Sequence, residues 1–410
     1  MSRRILPLCA LLALLAGCAS TAQIRPLTDA PEQFGSFEDE RVLFKRSQLM
    51  HDELQKRGLL LQDAELNAYL QALGQRLKPA SLGGQVDFRF YVLRDPVVNA
   101  FALPDGRLYF NVGLLARLED EAMLVQVMAH EMSHVLQRHS LIGSRTRQNT
   151  IVAAHLGNLL LGGSNLIYLP AFAGLAGHSR DQERDADRRG WELMQAAGYP
   201  LQHSDQLFSL LGMVKYQEGQ GLYASHPDNR ERAENARQMA TALPDDSLAL
   251  AESQARYRPY RLRLLREDVR LKQRHKFYAL ALESLARAEA LEPQATDLRL
   301  LRADTLRLLA NDASGAAREH AFLYGKTRKK EESAFREEAE AQRQAAAEGY
   351  QALLDEPRQG RQALRGLGLL RRDQQRHAEA REHLQAYLAG PTKGGDRLYL
   401  QAILERLDQE

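Results

Sequence analysis

The stretch His130-Glu131-Met132-Ser133-His134 sets two imidazoles four residues apart, with a carboxylate directly after the first. On a helix, positions four apart lie on one face, so the pair can grip a single Zn²⁺. Glu131 is then placed to take a proton from an attacking water. A catalytic zinc needs a third protein ligand and keeps a fourth position open. The competing reading is a surface helix that carries two histidines and a glutamate by coincidence. Met123, Leu124, Val127, Met128, Val135 and Leu136 surround the motif. Two histidines on a mostly buried helix are costly without a metal or hydrogen-bond partners.

The chain has 410 residues, enough for two domains of ordinary size, and its 44% apolar content is that of a globular protein. A net charge of +2 gives no reason to expect nucleic acid as a partner. The only two cysteines, Cys9 and Cys18, fall in the first eighteen residues. The body therefore has no disulfide framework and no thiolate metal site, and a metal must use histidines and carboxylates.

Arg3 and Arg4 precede an apolar run from Ile5 to Ala16, which reads as a bacterial secretory signal and is too short for a comfortable membrane span. Leu15-Ala16-Gly17-Cys18 resembles a lipobox, in which the cysteine is acylated and becomes the first mature residue. An ordinary signal with an incidental cysteine is the alternative. Residues 1–17 are expected to be removed, and 18–35, with Pro26, Pro31 and Gly35, to form a lipidated tether. Ala19, rather than Asp, follows the cysteine, the pattern of lipoproteins sent to the outer membrane.

Several elements must position the motif. Ser36 to Arg57 is helical in pattern, and Asp63 caps a second helix that runs to about Lys78. Val86 to Leu93 reads as a strand, and Asp105-Gly106 between two strand-like runs signals a hairpin. That hairpin is either plain core or an edge strand able to pair with an extended peptide. A run from Gln148 to Ser179 lacks Lys, Arg, Asp and Glu. It reads as a buried helix pair, a mobile cover or a membrane-surface contact, and Gly162-Gly163 and Pro170 argue against a span. His155 and His178 in this run could ligate in principle but read as packed or solvent-facing. A helix from Ser179 to Ala197 carries Glu183 and Asp187 on one face, with Asp181, Arg184 and Asp185 on the surface. After about Asp245 the composition turns to Ala, Leu, Arg, Glu and Gln. There Tyr350-Gln-Ala-Leu-Leu-Asp-Glu-Pro357 is echoed by Leu384-Gln-Ala-Tyr-Leu-Ala-Gly-Pro391, an offset of 34 that matches the tetratricopeptide period.

Asn99-Ala-Phe-Ala-Leu-Pro104, the hairpin, Gly113-Leu114-Leu115 and the H-E-x-x-H helix together resemble the BepA-type branch of the zinc metallopeptidase family that also holds HtpX and the CAAX prenyl proteases. The resemblance covers about residues 36–240. It implies that the edge strand lies along the cleft with Asn99 near the site. Glu183 would be the third zinc ligand and Asp187 would hydrogen-bond a ligand histidine, fixing its tautomer. His226, in Ser225-His226-Pro227, would bond the oxyanion or close the open zinc position; a turn histidine before proline is the bland alternative. Arg232 matches the family's arginine and is grouped with Asn99 on the substrate side.

The expected fold is mostly α: an α+β gluzincin-type metallopeptidase domain with a small β-sheet over 36–244, then an all-α tetratricopeptide-like domain over 245–410. The expected function is a zinc endopeptidase with one Zn²⁺ per chain, anchored at Cys18 to the outer membrane in the periplasm. The resemblance implies misfolded or stalled outer-membrane proteins as substrates and the β-barrel assembly machinery as a partner. The rival is a chaperone or adaptor whose repeats carry the function and whose metal site is regulatory.

Overall fold

The computed structural model describes residues 24–146, 178–201, 204–212, 229–241, 247–324 and 328–409. The expected signal segment, Cys18, His155, most of the uncharged run and His226 lie outside them.

The described elements are α1 (Glu38–Lys56), α2 (Ala64–Leu77), β1 (Arg89–Leu93), β2 (Ala100–Ala102), β3 (Arg107–Asn111), α3 (Val112–Arg117), α4 (Glu121–Leu136), α5 (His139–Thr146), α6 (Arg180–Ala196), α7 (Ser204–Gly212) and α8 (Asn229–Thr241). Eight more helices follow: α9 (Ser247–Arg274), α10 (Tyr278–Leu291), α11 (Thr296–Asn311), α12 (Ala313–Tyr324), α13 (Arg328–Gln351), α14 (Gly360–Asp373), α15 (His377–Leu388) and α16 (Gly394–Leu407). The fold is therefore mostly helical with one small sheet, as the sequence predicts.

Part of the stretch read as a tether is packed. Leu27 and Ala30 are fully buried, and the Leu27 amide donates to the carbonyl of Leu136 at 2.8 Å. The folded body thus includes residues ahead of 36. Asp63 caps α2 by accepting from the Leu66 amide at 3.0 Å, and Leu66, Leu70, Leu73 and Leu77 form its buried stripe.

The sheet runs β1-β3-β2, with β1 parallel and β2 antiparallel to β3. Alternation splits its faces. Phe90, Val92, Leu108 and Phe110 enter the main core, whereas Phe101, Leu103 and Tyr109 pack with Met50 and Leu54 of α1. Leu103 to Gly106 forms the β2–β3 turn: the Gly106 amide donates to the Leu103 carbonyl at 3.1 Å and Gly106 has φ +87°. Pro104 therefore takes the second turn position and glycine the left-handed one. A Cβ on Gly106 would stand 2.6 Å from the carbonyl oxygen of Asp87, a second reason for glycine.

Every residue of α4 is buried. Asp120 caps it through the Met123 amide at 2.8 Å. In its first turn, buried Glu121 accepts from Tyr69 at 2.7 Å, Tyr199 at 3.3 Å and Arg256 at 2.7 Å. A carboxylate there also complements the helix dipole. One residue thereby ties α4 to α2, to the end of α6 and to α9.

Packing is continuous across the boundary expected at 245. The Tyr257 hydroxyl of α9 donates to the Leu115 carbonyl at 2.8 Å, and Ser253 accepts from the Ala122 amide at 2.8 Å. Tyr257, Leu264, Leu285 and Leu298 join the same core as the sheet and α4. Beyond it, helices stack on their neighbours: α11 on α13, α13 on α14, α14 on α15. The two echoed positions, Tyr350 and Leu384, are fully buried against α14. Gly366 lies under the Tyr350 ring and Gly368 under Leu384, where an added Cβ would come within 2.2 Å and 2.6 Å. Among the described residues no helix is long and apolar enough to cross a membrane.

Candidate metal centre

The helices α4 and α6 pack face to face, bringing Glu183 to two histidines about fifty residues earlier in the chain. His130 Nε2 and His134 Nε2 stand 3.1 Å apart. Glu183 places Oε2 3.5 Å from His130 Nε2 and Oε1 3.6 Å from His134 Nε2. All three residues are buried.

This donor set fits a metal ion. At zinc–ligand bonds of about 2.0–2.1 Å, two corners of a tetrahedron lie roughly 3.3–3.4 Å apart, close to all three observed edges. Three hard-to-bury polar groups facing one point, with no apolar filler between their tips, is also what a two-histidine, one-carboxylate ligand set requires. Glu131 adjoins the set on α4 and is buried at 1% exposure.

Behind the set lies a second layer. His130 Nδ1 stands 2.9 Å from Asp187 Oδ1. That bond puts the ring proton on Nδ1 and leaves Nε2 free to ligate. Arg232 of α8 donates from Nη1 to Glu183 at 3.1 Å and grips Asp187 with two nitrogens. Its guanidinium lies 5.0 Å above the Phe208 ring of α7. Arg232 was grouped with substrate contacts from the sequence. It is buried at 6% exposure and bonds to both carboxylates. Burial alone would raise the Asp187 pKa, but the Arg232 charge and the His130 bond outweigh it and hold it at about 2. For Arg232, burial opposes the charge and is overcome by Asp187, Glu183 and Glu131, so its pKa is raised. His130 is likewise lowered by burial and by Arg232, yet raised on balance by its bonds to Asp187 and Glu183.

Residues 64–240 match peptidase family M48. The match is confined to that region, less than half of the chain. The chain is 31% identical over 209 residues to the beta-barrel assembly-enhancing protease of Escherichia coli (strain K12), covering 46% of this chain and 43% of that one. The protein of the same name from Yersinia pestis is 26% identical over 257 residues, 56% of this chain and 52% of that one. The mitochondrial metalloendopeptidase OMA1 of Schizosaccharomyces pombe is 31% identical over 168 residues, 40% of this chain and 50% of that one. The match thus spans about half the length of these relatives or less. The matching region is thus similar to metallopeptidases.

Asn99, the other residue expected on the substrate side, is buried where the chain enters edge strand β2, and its carbonyl accepts from the Asn111 amide at 3.0 Å. Two residues of the matching region escaped the sequence reading. Asp185, read as surface, is 3.6 Å from His139 Nε2. His139 is buried, with Nδ1 2.9 Å from His134 Nδ1. Burial pushes the His139 pKa down to about 4, so the ring is neutral. The signal was a third histidine five residues after His134, just beyond the helix end. His178 is half-buried and stacks on His134 with ring centroids 3.7 Å apart.

Proposed function

We propose that the chain is a zinc-dependent endopeptidase, lipid-anchored at Cys18 to the outer membrane in the periplasm, that hydrolyses misfolded or stalled outer-membrane proteins. The observation that carries the chemistry is the buried triangle of His130, His134 and Glu183 with Glu131 beside it. The substrates and the anchor rest on the relatives named beta-barrel assembly-enhancing protease and on the lipobox-like Leu15–Cys18. One Zn²⁺ per chain, held by His130, His134 and Glu183, supplies Lewis acidity that polarises a carbonyl and acidifies water.

The chain's own residues do the rest. Glu131 takes the proton of the attacking water on a carboxylate oxygen, then delivers it to the leaving amine. Asp187 and Arg232 hold His130 and Glu183 in place. His226 contributes a hydrogen bond to the oxyanion or covers the site at rest. Asn99 opens edge strand β2, which offers backbone groups to an extended peptide. The stacked helices of α10–α16, read as tetratricopeptide-like, offer a surface for protein partners such as the β-barrel assembly machinery.

Casein degradation by the wild type and by Glu131→Gln, with zinc measured in both, tests the reading. Loss of cleavage by 10²-fold or more with zinc retained is expected. Equal cleavage by the variant removes the peptidase mechanism and leaves the adaptor reading, in which the helical repeats carry the function.

A further inference from the structure

The two histidines of the triangle are held differently. His130 meets a carboxylate directly through Asp187. His134 turns its Nδ1 toward another imidazole, His139 Nδ1 at 2.9 Å. We infer that His139 is a positioning residue: it accepts the Nδ1 proton of His134, fixes that ring's tautomer and so presents His134 Nε2 to the metal. The inference rests on the proposed ligand role of His134.

Proton bookkeeping gives each ring one arrangement. If His134 Nε2 ligates, its proton sits on Nδ1 and donates. His139 Nδ1 must then accept, which places the His139 proton on Nε2. That nitrogen faces Asp185 Oδ2 at 3.6 Å, an electrostatic contact rather than a hydrogen bond. The result is a chain from His134 through His139 to Asp185, parallel to the one from His130 to Asp187.

The backbone is built to deliver this contact. α4 ends at Leu136, and Arg138 follows with φ +54°, a left-handed conformation uncommon outside glycine. That residue reverses the chain and brings His139 back beside the last turn of α4. The strained turn is over-determined by its side chain. Arg138 is buried and donates from Nε to Glu40 Oε1 at 3.0 Å and from Nη2 to the Gln33 carbonyl at 3.1 Å. From the other side, Gln182 in the first turn of α6 donates to the His139 carbonyl at 3.2 Å.

His134, His139 and His178 also lie close enough to suggest a second metal site. Ring geometry argues against it. His178 lies nearly parallel to His134, at 14° and 3.7 Å between centroids. Stacked rings direct their in-plane lone pairs along parallel planes rather than at one point. His178 therefore covers the face of His134 while His139 holds its edge.

The test uses the full mature chain with His139→Leu, which has no acceptor, and His139→Gln, which keeps one. Zinc affinity is measured by competition with a chelator, beside the thermal midpoint of the metal-free proteins and the His134 Nδ1–H proton resonance. His139→Leu is expected to lose about 10–100-fold in affinity and the slowly exchanging resonance, with His139→Gln within a few-fold of wild type. Should His139→Leu fail to fold, Asp185→Asn is expected to weaken zinc several-fold without loss of fold. Wild-type affinity in His139→Leu, or in Asp185→Asn where that variant stands in, overturns the inference, as does equal loss in the Leu and Gln variants, which marks simple packing. A wild type that binds no zinc removes the metal reading and this inference with it.

Discussion

Gly190 of α6 lies against the backbone of His130: a Cβ added there would stand 3.2 Å from the His130 amide nitrogen and 3.4 Å from its Cα. The two helices can approach this closely only because the side chain is absent. Asp187 and Glu183 lie about one and two turns ahead of Gly190 on the same helix, so the spacing of the helices sets the reach of both carboxylates. Gly190→Val is expected to cost about 1–3 kcal/mol through overpacking and to weaken zinc binding further than its stability loss explains. Denaturant midpoints beside chelator competition check this, and unchanged zinc affinity in a destabilised variant would sever the two effects.

The Arg232–Asp187 pair is buried and two-pronged, Nε to Oδ2 at 2.7 Å and Nη2 to Oδ1 at 2.8 Å. Removing Arg232 leaves Asp187 buried with only its bond to His130 and takes the guanidinium from buried Glu183 as well. Arg232→Leu is expected to lose about 3–5 kcal/mol, against a change within about 0.5 kcal/mol for the exposed Arg237→Leu. Because the Asp187 pKa falls from 3.8 to about 2 on folding, its contribution is complete above pH 4 and is lost as pH falls through 2. Acid unfolding of the two variants reads out both claims. A wild-type midpoint in Arg232→Leu would mean that the pair adds nothing.

Glu319 of α12 caps a different helix. Its carboxylate accepts from the Ala279 and Leu280 amides in the first turn of α10, each at 2.9 Å. Burial outweighs those bonds and raises its pKa from 4.5 to about 7. The folded state then holds the proton more tightly than the unfolded chain. Stability is greatest below pH 4.5, declines as pH rises to 7, and is flat beyond. The helical half should be less stable at pH 8 than at pH 4.5 by about 3 kcal/mol, from 1.4 kcal/mol per pH unit. In Glu319→Gln this part of the pH dependence disappears. Urea midpoints at the two pH values decide it, and identical profiles for the two proteins would refute the assignment.

Chelation of the metal should do more than stop cleavage. Without an ion, two imidazoles and a carboxylate face each other in a buried site. Metal that binds only the folded chain stabilises it by mass action, about 2.7 kcal/mol at a hundredfold excess over Kd. Treatment with a strong chelator should lower the thermal midpoint, and stoichiometric zinc should restore it. Glu183→Ala should show no such zinc response. A restored midpoint in that variant would place the third ligand elsewhere.

The ligand helix was legible because its signals are local. A four-residue spacing puts His130 with His134, and Glu183 with Asp187, whatever surrounds them. Asp63 stands where a side chain caps a helix, and Gly106 where a turn needs positive φ. The partner of Arg232 was not legible because its type and position leave it open; its bonds to Asp187 and Glu183 of α6 appear only in the folded chain. Asp185 read as surface since helical spacing sets it away from Glu183, and nothing local says that a histidine returns to meet it.

From the residues alone came the faces of single helices, the absence of thiolate ligands in the body, and the shift to an all-helical second half. These follow from short-range periodicity and composition. The tertiary structure decided which faces meet. It set Glu183 3.5–3.6 Å from the two imidazoles, drew Arg232 behind them, folded Leu27 into the core and docked α9 on α4. Those contacts join residues separated by tens to more than a hundred positions, and the choice of partner depends on the summed packing of the chain rather than on any local signal.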